Sequence, residues 1–284
     1  MSDIINLRKN VNNLTHDELK KLRLAYKKAM RLMDNRGYAY FAGFHGIPNF
    51  WCWHGPQAKD GWPGVRLFLP WHRAYLYRFE KALQDLEPGV VLPWWDWRSA
   101  NSEQNKIPNA FSETDVDGEP NSLYNYHMRF PEHNIDRETR RFPGKSLRSS
   151  DSLPHPDDIE EILDIPDNHF DEFSDSLEDI HGFIHVWTGG QTRQEGKIVS
   201  GDMSDIATAA FDPIFWSHHC MIDRLWWEWQ KKNGIDEIPD HYREMSLEPF
   251  GMTVDETLDI FNLGYDYAGT ETTVNGNWSR ESNG

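Results

Sequence analysis

The sequence predicts a mainly α-helical single domain with long irregular loops, and three observations carry that expectation. Residues 71 to 86 and 212 to 232 each show one apolar stripe at helical spacing, and each stripe includes a histidine. The 284 residues, 38% of them hydrophobic, supply a sizeable core and contain no solenoid-period repeat and no low-complexity tract. Residues 98 to 158 are polar, weakly periodic and studded with Pro, Gly, Asn and Ser, so they read as a long irregular connection and not as a second core.

In chain order, Thr15 with Glu18 three positions later gives a capping signal for a first helix over 15 to 33, with Leu19, Leu22, Ala25 and Ala29 on one face. Tyr38 to His45 is aromatic and helix-compatible. Between Ile47 and Gly64 the residues Pro48, Gly55, Pro56, Gly61, Pro63 and Gly64 break any period, so His54 is expected on irregular backbone. From Trp71 to Leu86, His72, Leu76, Phe79, Leu83 and Leu86 recur on one stripe, which points His72 inward. Pro88-Gly89 stops that helix, and Val90 to Trp97 is a short apolar piece containing Pro93. Helical character returns from Leu177 to Val186, ahead of a turn at Gly189 and Gly190. In the last strong helix Phe215, His219, Ile222, Trp226 and Trp229 share a face.

Composition excludes several classes of function. With 29 Lys+Arg against 46 Asp+Glu the net charge is -17, which repels phosphate backbones and anionic membrane surfaces. No stretch approaches the roughly 18 apolar residues of a membrane helix, and the N-terminal MSDIINLRKN lacks a secretory signal pattern. A soluble, cytoplasmic protein with neither nucleic-acid nor membrane partners is expected. Two cysteines, Cys52 and Cys220, cannot make a disulfide framework, so packing or metal must hold the fold.

The 13 histidines and 13 tryptophans carry the functional signal. His181 and His185 are four apart, so on a helix both rings project from one face and can share a metal ion. Leu177 and Ile184 make that region apolar, where an imidazole pair without a partner is costly. The next helix offers a third imidazole from the adjacent pair His218 and His219. Before residue 98 the histidines are His16, His45, His54 and His72; His16, in a polar first turn, reads as solvated. The other three are either a second trio or three separately satisfied aromatic-zone histidines. Two all-imidazole trios suit copper, with zinc as the rival.

FLPWHRAYLYRFE (68 to 80) and AFDPIFWSHHCMIDRLWWEW (210 to 229) resemble the two copper signatures of the tyrosinase, catechol oxidase and hemocyanin family of type-3 dicopper proteins. HGFIHVWTGG (181 to 190) is similar to the family's H-x3-H block, and Tyr265-Asp266-Tyr267 to its Y-x-Y element. The resemblance implies a central four-helix bundle holding a dicopper centre, a catalytic domain over 1 to 267 and a polar tail over 268 to 284. It assigns His45, His54 and His72 to one copper and His181, His185 and His219 to the other. His219 is preferred because the third ligand follows the Asp of the D-P-[IV]-F block, here Asp212, by seven residues; His218 then stands behind the ligands. The gap from His54 to His72 exceeds the step common in bacterial and fungal relatives, and no other histidine lies between them.

The same resemblance extends to further positions. Cys52-Trp53-His54 resembles the C-x-H arrangement of fungal relatives, which implies a thioether between Cys52 and His54; a free cysteine also serves as a small buried hydrophobe. Phe68 and Phe215 each precede a ligand by four residues and are expected to wall the pocket, a role compatible with core packing. Glu178 is the expected base or water-ordering residue, with Glu172 as the alternative. Gly182 and Val186, directly after the first two ligands of the second copper, leave the pocket open but chemically plain. The implied activity is oxidation of o-diphenols to o-quinones by O2, with weaker ortho-hydroxylation of monophenols, phenols being the small-molecule partners. An oxygen carrier of hemocyanin type and an o-aminophenol oxidase are the rival readings.

Overall fold

A computed structural model describes residues 5–145 and 152–269, so most of the expected polar tail, residues 270–284, lies outside the described residues. Nine helices are described. The first, α1 (His16–Ala29), opens on the expected capping box: the Thr15 hydroxyl accepts from the Glu18 N–H at 3.2 Å, and the Glu18 carboxylate accepts from the Thr15 N–H at 2.8 Å. It buries Leu22, Ala25, Tyr26 and Ala29 and ends four residues short of the predicted boundary. Helix α2 (Tyr38–His45) matches its expected bounds. The loop after it is irregular around His54, then forms a small antiparallel hairpin, Gln57–Lys59 with Trp62–Val65.

Helix α3 (Phe68–Leu86) begins before Pro70, three residues earlier than the pattern suggested. Pro70 sits in the first turn, where a missing N–H has no intrahelical partner to lose. The connection from 98 to 158 holds short helices α4 (Ala100–Asn105), α5 (Asn109–Ser112) and the start of α6 (Pro156–Leu163), with a hairpin pairing His127–Phe130 to Ile135–Glu138. It contributes Ile107, Phe111, Leu123 and Met128 to the same core that the long helices build, consistent with its not being a separate one.

Helix α7 (Phe170–Gly189) starts two turns before the predicted segment, because Phe170 and Phe173 extend the buried stripe of Leu177, His181 and Ile184. Phe173 stacks on Trp229 of α8 (Ile214–Asn233), with ring centroids 4.5 Å apart. Six tryptophans, Trp71, Trp95, Trp97, Trp216, Trp226 and Trp229, are fully buried, and Trp216 stacks on Phe79 of α3 at 3.8 Å. Helix α9 (Asp255–Leu258) packs against α3. Helices α2, α3, α7 and α8 form the central bundle around the histidines.

A short parallel pair joins Asn6–Arg8 to Tyr265–Tyr267 and feeds a buried polar network. Asp223 of α8 accepts from Arg73 of α3 at 2.5 Å, from Arg8 at 3.2 Å, and from the Tyr265 and Tyr267 hydroxyls at 2.7 and 2.6 Å. Burial alone would raise the Asp223 carboxyl, but Arg73 and Arg8 outweigh it and hold it below the usual carboxylate range. Burying three charged side chains is tolerable here because each has hydrogen-bonded partners of opposite sign.

Candidate metal centre

The six histidines named by the resemblance converge on one buried region, although they come from three helices' interiors, one helix end and a loop. His45 is the last residue of α2, held there by Gly46, where a Cβ would meet the Ala207 carbonyl oxygen at 2.2 Å. That close approach lets the Ile47 N–H donate to Ala207, which brings the Ile206 carbonyl to the His45 ring. His54 lies on the irregular loop, His72 on the first turns of α3, His181 and His185 on α7, and His219 on α8. His16 is exposed at the start of α1, away from them.

Backbone carbonyls set the protonation of three rings. The Nδ1–H of His45 donates to Ile206 at 3.2 Å, that of His72 to Phe68 at 2.8 Å and that of His185 to Met203 at 2.8 Å. A carbonyl can only accept, so in these neutral rings Nε2 carries the lone pair. The Nδ1–H of His54 donates to the Glu178 carboxylate at 3.2 Å, which leaves its Nε2 bare as well. With both rings neutral and protonated at Nδ1, the Nε2 lone pairs of His45 and His54 face each other at 3.3 Å. Two lone pairs at that distance repel unless a cation takes both.

The rest of the cluster makes the same demand. His72 Nε2, both ring nitrogens of His181 and Nδ1 of His219 are buried with no hydrogen-bond partner among the described residues. Burial, followed by repulsion from neighbouring imidazoles, pushes the pKa of His45, His72, His181 and His219 well below the usual value, and burial pushes His185 down to about 4. Neutral, desolvated, unpartnered imidazoles fit a metal with nitrogen affinity. Within 4.8 Å of one another lie ligand atoms of His181, His185, His218 and His219, of His45, His72 and His219, and of His45, Cys52 and His54. His219 thus belongs to two of these groups and faces both trios, its ring stacking on His72 at 4.4 Å. His218 lies behind His181, stacked at 5.3 Å.

The remaining predicted residues surround this cluster. The Phe68 ring lies 4.7 Å from both His72 and His181, and Phe215 lies 4.1 Å from His219 and 4.8 Å from His45. Glu178 Oε1 accepts from the Gly55 N–H at 2.8 Å besides His54, so this carboxylate ties the loop to α7. Glu172 instead accepts from exposed His169 at the surface. Cys52 is half-buried, with its thiol pushed up to about 12 by burial. An open cleft beside the centre is lined by His54, Glu178, His181 and Gly182, and Val186 on the same helix is exposed. The carbonyls of Met203 and Ile206 were invisible to side-chain reasoning, as was Asp202, which anchors their segment by accepting from Arg137 at 2.7 and 2.8 Å.

A helical bundle that encloses an all-imidazole pocket defines a protein of the type-3 copper class, and similarity to known proteins agrees. The common central domain of tyrosinase matches residues 35–232, and the chain belongs to that family. It is 28% identical to a tyrosinase of Podospora anserina over 82% of this chain and 51% of that protein. It is also 28% identical to hemocyanin 1 of Megathura crenulata over 83% of this chain, which spans only 6% of that much longer protein. Among solved structures, a functional unit of octopus hemocyanin superposes with a TM-score of 0.71 at 26% identity, covering 93% of this chain and 68% of that one. Tyrosinase from Burkholderia thailandensis shares the fold at TM-score 0.73 and 23% identity, covering 93% and 73%. The family uses a dicopper centre. No helix among the described residues is long and apolar enough to cross a membrane.

Proposed function

We propose that this protein oxidises o-diphenols to o-quinones with O2 and hydroxylates monophenols more slowly. In this reading the catalytic unit runs from residue 1 to 267, with His45, His54 and His72 holding one copper ion and His181, His185 and His219 the other. Copper supplies the exchange of electrons with O2: each catechol gives up two electrons and two protons, so two catechols reduce one O2 to two waters. The chain supplies the setting. Three carbonyls and one carboxylate fix the ring planes, and Phe68 and Phe215 keep water from the imidazoles. Glu178 holds His54 and is the nearest carboxylate to receive a phenolic proton. At Gly182 no side chain assists that transfer, which favours catechols over the less acidic monophenols.

The observation that carries the reading is the open cleft reaching His54 and His181, through which an aromatic ring can approach the centre. A hemocyanin-type carrier is the second reading, supported by relatives of that kind at the same identity as the tyrosinase. Oxygen uptake and quinone absorbance measured in parallel with catechol, tyramine and o-aminophenol separate the two. Sustained turnover of catechol supports the oxidase, reversible oxygenation without turnover supports the carrier, and preference for o-aminophenol redirects the substrate class.

The Cys52–His54 thioether belongs to the same proposal: the sulfur joins an imidazole carbon, and two hydrogens leave to O2 at the copper-loaded site. The proximity of the Cys52 sulfur to the His54 ring supports it. Intact mass should fall by two hydrogens on aerobic copper loading, whereas an unchanged mass with Cys52 still open to alkylation would rule it out.

A further inference from the structure

Helix α7 turns two adjacent stripes toward the cleft. Glu178, His181 and His185 form the one that meets the metal centre, and Asp175, Asp179, Gly182 and Val186 follow beside it at steps of four, three and four. A Cβ added at Gly182 would meet nothing within 4 Å, so an aromatic ring can lie there against His181. His181 is 4% exposed, lines the cleft and has no hydrogen-bond partner for either ring nitrogen among the described residues, so a ring seated at Gly182 lies directly beside a proposed metal ligand. The cleft's outer wall is acidic, and among the described residues no lysine or arginine lines it.

The three carboxylates of that wall are not equivalent. Asp175 is paired with Arg66 at 3.0 Å, and the same guanidinium reaches Asp171 at 3.3 Å. Glu178 is occupied by His54 and Gly55. Asp179 is exposed and has neither an ion pair nor a hydrogen bond among the described residues. At about 1.5 Å of helix rise per residue it stands roughly 4.5 Å along the axis from Gly182, within reach of a group two carbons from a ring seated there.

We propose that Asp179 selects phenols carrying a cationic side chain, of the phenethylamine kind, over phenols carrying a carboxylate. The inference rests on the phenol-oxidising reading of the site. In a water-filled cleft, unit charges about 6 Å apart change binding roughly threefold, so an ammonium drawn in and a carboxylate held off differ by about tenfold at low salt. The preference shrinks as salt shortens the screening length.

Two readouts on the copper-loaded full chain test it. The first is the ratio of kcat/KM for dopamine to that for 3,4-dihydroxyphenylpropionate, each referred to neutral 4-methylcatechol. The second is binding of phenethylamine and 3-phenylpropionate, which lack hydroxyls and cannot be oxidised, followed by ligand-observed NMR. Wild type should favour the cation about tenfold in 20 mM salt and clearly less in 0.5 M. Asp179→Asn should bring the ratio near one, and Asp179→Lys should invert it. A ratio near one in wild type, or one that both variants leave in place, overturns the assignment. Charge-selective binding that Asp179→Asn abolishes, in a protein that turns over none of the three catechols, upholds Asp179 and refutes the oxidase reading instead.

Discussion

His218 and His219 are neighbours on one helix, yet only the second stacks on His72 and comes within reach of His45. His219→Ala should therefore lower bound copper from two to about one per chain and abolish turnover, because reducing O2 with catechol electrons needs both metals. His218→Ala should retain both ions, and metal analysis of the two purified variants decides between them. Gly182 gives the complementary test. Asn there enters open space and should raise the ratio of monophenol to diphenol rates, read with tyramine against dopamine. Its fold should stay as stable or gain a few tenths of a kcal/mol, since glycine is a poor helix interior residue. Glu178→Gln should retain the Gly55 contact but weaken the charge-assisted bond to His54, so copper should leave faster under a chelator.

The helices bearing His72 and His219 are locked together one residue and one turn away by the Arg73 contact to Asp223. Asp223→Ala would leave Arg73 without a carboxylate partner and Arg8 with Glu80 alone, with an expected cost of about 3 to 5 kcal/mol in denaturant unfolding. Thr15→Ala, losing only an exposed cap, should cost about 1 kcal/mol. These elements also show what the sequence could reveal. The stripes of α3 and α8 were legible because His72, Leu76 and Phe79, or Phe215, His219 and Ile222, repeat with the helical period and are buried. The first two turns of α7 carry no clear period because Asp171, Glu172 and Asp175 face solvent or Arg66 and dilute the pattern around Phe170 and Phe173. Side chains that bind metal advertise themselves by type and spacing. The carbonyls of Met203, Ile206 and Phe68 do not, since every residue has one and only the tertiary path selects which of them meets a ring.

Charge governs the behaviour of the entire chain. The net charge of -17 implies carboxylate repulsion that salt screens, so the thermal midpoint should rise between low and moderate NaCl; a flat or falling curve would dismiss that expectation. Acid should act in the opposite sense on the metal-free protein. The buried histidines have lowered pKa values, His185 about 4, so below about pH 6.5 the unfolded chain binds protons that the fold does not, and stability drops as pH falls. Asp212, raised to about 6 by burial despite Arg141, takes up a proton when folded and opposes this trend, but one carboxyl is outnumbered by the imidazole cluster. Unfolding midpoints between pH 7 and 5 should therefore decline. The segment that Asp202 anchors links the two proposed copper sites. Its carbonyls at Met203 and Ile206 orient His185 and His45, one ring from each proposed trio, so the first ion to arrive stiffens a support that the second also needs. Loading should consequently be cooperative, with a Hill coefficient above one in a copper titration, and Asp202→Asn should flatten it toward independent binding.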